Sequence, residues 1–82
     1  MILFPPGLVL EVDKEIKIEG LYVLTLKVKE KEGKCCSNVE VADNNTIFGG
    51  GLVFKDSELE MKNKTYFCTK IDEKKLEFKL KN

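Results

Sequence analysis

The sequence predicts an all-β domain, a small barrel or rolled sheet of five to six short antiparallel strands with at most one short helix near residues 57–64. Three observations carry that expectation. Apolar residues recur mainly at every second position, the period of a strand with one buried face. β-branched and aromatic residues fill those runs, as a pleated, half-buried surface favours. Clusters of Gly, Asp, Asn and charged residues break the runs at the roughly 8–12-residue spacing of a small closed or partly open barrel.

Each element follows from its own residues. Leu8-Val9-Leu10-Glu11-Val12 opens a strand after Pro5-Pro6-Gly7, and Asp13-Lys14-Glu15 is a turn or bulge before Ile16-Lys17-Ile18. Gly20 punctuates the chain. Next, Tyr22, Leu24, Leu26 and Val28 fall on one strand face and Thr25, Lys27 and Lys29 on the other. Leu21 and Val23 make the first half of that second face apolar as well, which suits a barrel with one covered end and one wet end. Residues 30–34 read as a charged hairpin tip with Gly33 at positive φ. The return strand, 34–42, places Val39 and Val41 inward and Glu40 outward. Residues 43–46 are a turn, since Asp and Asn tolerate the left-handed conformation.

Ile47-Phe48 starts an apolar stretch that Gly49-Gly50-Gly51 interrupts and Leu52-Val53-Phe54 resumes. Ser57-Glu58-Leu59-Glu60 has the capping-box pattern, with Ser57 as N-cap of a short helix. Short isolated helices are marginal, so a loop is the competing expectation for 57–64. Residues 65–71 are strand-like, with Tyr66, Cys68 and Lys70 on one face and Phe67, Thr69 and Ile71 on the other. Residues 72–75 turn the chain into a last strand where Leu76, Phe78 and Leu80 alternate with Glu77, Lys79 and Lys81. The strand count gives an SH3-like or OB-like look, and no family resemblance beyond that count.

Composition bounds function. The 82 residues make a single domain, 1–82, and a chain of that size buries only about 60% of its unfolded surface, leaving little room for a deep pocket. Its 14 basic residues are all lysine and balance 14 acids, which argues against holding nucleic acid by charge alone. Low net charge with 43% hydrophobic residues also argues against disorder. Abundant Lys and Glu with no glutamine fit either a heat-adapted protein or an AT-rich genome. Residues 1–10 lack the basic start of a signal peptide, and Pro5-Pro6-Gly7 interrupts them. No run of apolar residues is long enough for a transmembrane helix. The expectation is a soluble, cytoplasmic protein with no membrane contact, and the sequons at Asn44 and Asn63 read as chance.

Candidate chemistry is sparse. Histidine, the commonest general base and metal ligand, is absent. Three cysteines without histidine make a poor zinc set, so no metal and no cofactor is implied. Cys35 and Cys36 point to opposite strand faces, so one of the two can face the core. Free thiols are the expected state, and a disulfide from Cys68 to Cys35 or Cys36 is the alternative. Nothing near them makes a reactive thiolate, and same-face carboxylates such as Glu58 with Glu60 read as edge decoration. The expectation is therefore a protein without enzymatic activity.

Binding features remain. Gly49, Gly50 and Gly51 are either a flexible loop that could cradle an anion or a hinge where a strand bends sharply. Ile2, Leu3 and Phe4, ahead of the Pro-Pro break, either pack across the end of the roll or form an exposed arm for a partner. Tyr22 and Tyr66 are candidate contact residues. The leading expectation is protein–protein contact, as an oligomer or a subunit of a larger assembly. The alternative is single-stranded nucleic-acid binding by stacking on Tyr66 or Tyr22.

Overall fold

The computed structural model describes residues 5–43, 47–62 and 64–81, with 47 and 48 described for their backbone alone. Nine strands run in order: β1 (Gly7–Glu11), β2 (Glu15–Ile18), β3 (Leu21–Thr25), β4 (Lys29–Lys31), β5 (Lys34–Ala42), β6 (Ile47–Phe54), β7 (Glu58–Met61), β8 (Lys64–Ile71) and β9 (Lys75–Leu80). They form two antiparallel sheets. One has the order β1-β9-β8-β7; in the other, β2-β3-β5-β4, strand β6 pairs with the opposite side of β5. The fold is all-β, as the alternation predicts, but the sheets do not fuse into a closed barrel. They make a rolled pair.

Among the described residues the count rises to nine because residues 26–28 separate β3 from β4 within one sheet, residues 58–61 add β7, and the chain breaks at both places where it changes sheets. At the first break, Asp13 takes a left-handed φ of 63° and its N–H donates to Thr25 O at 2.7 Å. The N–H of Val12 still reaches Lys74 O at 2.9 Å, so consecutive residues bond different sheets. At the second break, between β6 and β7, Asp56 is left-handed at 73°. Its N–H donates to Cys68 O, while Ser57 N–H donates back to Phe54 O. Asp is among the few residues that adopt this conformation at low cost.

In the 57–64 segment the described residues, 57–62 and 64, are not a helix. Ser57 does cap something, but its Oγ accepts from Phe54 N–H at 3.0 Å and so closes the sheet-to-sheet turn. Glu58, Leu59, Glu60 and Met61 then alternate exposed and buried in β7, the period of a strand. Pairing with β8 outweighs a two-turn helix that has little intrinsic stability.

Two hairpins close through left-handed pairs, Glu19-Gly20 (φ 49° and 81°) and Glu32-Gly33 (53° and 80°). That geometry matches strand twist, and Gly33 sits where the sequence places it. The Lys62 Nζ donates to Glu19 O at 2.9 Å, tying the β7–β8 turn to the β2–β3 turn across the two sheets.

The core lies between the sheets. Leu8 and Leu10 of β1, Leu59 and Met61 of β7, Tyr66 and Cys68 of β8, and Leu76 and Phe78 of β9 meet Ile18, Leu21, Val23, Val39, Val41 and Val53 from the other side. Two phases differ from the sequence expectation. In β3 the inward face is Leu21, Val23 and Thr25, with Tyr22 and Leu24 on the outer face. Both faces were apolar there, so alternation could not choose. In β8 the register shifts between Cys68 and Lys70. This bulge turns Ile71 toward the core behind Tyr66 and Cys68 and separates Lys70 from their face.

Gly49, Gly50 and Gly51 are not a loop: they pair with Val41, Glu40 and Val39 inside β6. Gly50 (φ 96°) and Gly51 (φ 138°) are left-handed, and a Cβ on Gly50 would stand 1.9 Å from Val39 O. The expected Gly50→Ala effect is a loss of about 2 kcal/mol or more in a urea titration, from clash plus backbone strain. An unchanged midpoint would count against this geometry.

The β8–β9 turn is held by Asp72, whose Oδ1 accepts from the N–H groups of Lys74 (2.8 Å) and Lys75 (3.0 Å). Those bonds hold its carboxyl below the usual carboxylate range. A depressed folded-state pKa gives stability that is present above the unfolded value and lost as pH falls through the folded one. Acid titration of Asp72→Asn, which keeps the oxygen but not the charge, is expected to show a shallower loss over that window than the parent chain.

Candidate protein-contact edges

Because the roll is not closed, several strands keep one unpaired edge. Among the described residues, β1 pairs with β9 alone, β2 with β3 alone, β7 with β8 alone, and both β4 and β6 with β5 alone. Each such edge presents a row of backbone donors and acceptors without a ladder partner.

The edges differ in what surrounds them. β4 is fully exposed, and its Lys29, Glu30 and Lys31 alternate in sign. β6 and β7 border an open cleft of about 630 Å³, with Gly49, Gly50 and Gly51 on one side and Glu58, Glu60 and Lys62 on the other. Glu58 is bridged to Lys81 from the end of β9. β1 carries Val9, which is 51% exposed and is the exposed large hydrophobic side chain among the described residues.

The two tyrosines are not equivalent. Tyr66 is fully buried, and its hydroxyl donates to Pro5 O at 2.7 Å. It anchors the incoming chain, and burial raises its pKa. Contrary to the sequence expectation, Tyr66 offers no ring face for a base or a partner to contact. Tyr22 is half-buried on the outer face of β3, with the Lys17 Nζ 5.5 Å from its ring centroid. Ile2, Leu3 and Phe4 lie outside the described residues.

The three cysteines are free thiols, so no bridge joins Cys68 to Cys35 or Cys36. Cys36 and Cys68 are fully buried; Cys35 is exposed beside Phe54 and Ile71. Burial pushes the Cys68 thiol up, and the nearby Asp56 carboxylate adds to that shift. Among the described residues no cluster of three metal-ligating side chains occurs, and no helix is long and apolar enough to cross a membrane. One buried hydroxyl, Thr25 Oγ1, has no hydrogen-bond partner. It sits in the inward face of β3 where a valine would fit the pattern.

Val9 was not singled out from the sequence. Leu8-Val9-Leu10 is a continuous apolar run, whose inward phase is not legible. The one available signal was the small and charged pair at i±2, Gly7 and Glu11, which marks Val9's face as the outer one.

The fold and its edges define a small two-sheet all-β domain. No protein-family model, curated protein or solved structure matches the chain.

Thiol accessibility gives a direct check. A chromogenic thiol reagent is expected to label Cys35 rapidly in the folded chain, and Cys36 and Cys68 at the rate of unfolding. Fast labelling of all three would contradict the packing described here.

Proposed function

We propose that the chain is a small non-enzymatic β-domain that works through protein–protein contact, as an oligomer or as a subunit of a larger assembly. The supporting observation is the open roll: β1, β2, β6 and β7 each keep an unpaired edge, and such edges add strands from other chains. The cleft between β6 and β7 opens to solvent and the thiols of Cys36 and Cys68 are buried, which favours contact surface over chemistry. Stacking on single-stranded nucleic acid has less support, because Tyr66 is inside the core and Lys17 covers Tyr22.

Amide hydrogen exchange with light scattering tests this. From micromolar to millimolar concentration, or on adding a partner protein, edge amides of at least one of these strands are expected to become protected as mass rises. Edge amides that stay unprotected throughout, together with salt-sensitive binding to oligo-dT or oligo-U, would overturn the reading in favour of nucleic acid.

A further inference from the structure

Resting on that contact reading, we infer that β1 is a self-pairing edge: two copies join antiparallel about Val9, making one continuous sheet β7-β8-β9-β1 and its symmetry mate. The occupant is a second copy of this chain.

The backbone phase comes first. Leu80 N–H donates to Pro6 O at 2.8 Å and Val12 N–H to Lys74 O at 2.9 Å, in line with the β1–β9 register. Bonded pairs alternate in an antiparallel ladder, so the even-numbered residues bond β9. The backbone groups of Gly7, Val9 and Glu11 therefore point to the free edge. Glu11 O already accepts Lys14 N–H at 3.3 Å, which leaves its N–H and the full donor–acceptor sets of Gly7 and Val9.

Symmetry then limits the register, and the exposed Val9 chooses among the registers left. In a two-fold antiparallel pair, directly opposite residues lie on the same face, so an odd-numbered residue must face an odd-numbered one. Centring on Val9 sets Val9 against the second copy's Val9 and Gly7 against Glu11. The half-exposed valines cover each other, and the carboxylate meets a residue with no side chain.

The same rule disfavours the charged edges. On β4 it sets lysine against lysine and glutamate against glutamate, and on β7 centred at Leu59 it sets Glu58 against Glu60. β2 could oppose Glu15 with Lys17, but Lys17 already lies over Tyr22 and Ile16 already packs on the core. Among the described side chains, the exposed large apolar one belongs to β1.

A five-residue edge buries less than a standard interface, so a reversible dimer with a dissociation constant on the order of 10–100 µM is expected. The test is light scattering over that range on the full chain and on Val9→Lys, with circular-dichroism melts to confirm equal folding. The expected result is a monomer–dimer equilibrium weakened at least tenfold by Val9→Lys. In a Cys35→Ser background, Val9→Cys is expected to form a disulfide-linked dimer under oxidised glutathione. Self-association untouched by Val9→Lys would overturn the β1 pairing while leaving the edge-contact reading in place. A monomer at every concentration with no cross-link would also overturn it, and contact would then require a different protein as partner.

Discussion

The two turns at Asp13 and Asp56 carry the chain from one sheet to the other, and the rest of the structure depends on them. Each passes through a left-handed aspartate, and each is stitched to both sheets by backbone hydrogen bonds. Without them the alternating strands would build a flat sheet whose apolar face has nothing to cover it. With them, Leu10, Leu76 and Tyr66 on one side meet Val23, Val39 and Val41 on the other. Burying one such side chain stabilises by about 1.5–3 kcal/mol, so bringing the two faces together is what a chain this short needs.

The bends also leave the edges open. A continuous barrel would satisfy every strand on both sides. Here β1 and β2 belong to one bent path and β6 and β7 to another, but each half bonds a different neighbour. The unpaired edges are a direct consequence of the bend geometry. Their side chains then decide which edge is protected: alternating charge guards β4, two same-face glutamates guard β7, and β1 exposes Val9.

Polar groups inside the roll show how narrow the margins are. Tyr66 is tolerated because its hydroxyl reaches Pro5 O, which fastens the chain's entry to the core. Ser37 is fully buried and donates to Leu26 O at 2.6 Å, where β3 loses its regular pairing. Thr25 has no such partner and spends part of the stability that its neighbours provide.

The all-β class, the inward faces of β5 and β9, the hairpin at Gly33 and the turn at residues 72–75 are legible in the residues alone. Each of these rests on local chemistry: a clean period of two, a residue that tolerates positive φ, a side chain that bonds its own backbone. The inward phase of β1 and β3 is set by packing between the sheets, because a run that is apolar on both faces carries no alternation to read. Tertiary structure also sets the strand at Glu58–Met61, where pairing with β8 overrides a helical capping pattern, and the bulge that moves Ile71 inward. The burial of Tyr66 and the exposure of Val9 belong to the same class, since both depend on which neighbour lies across the roll, a fact of three-dimensional packing that no local spacing encodes.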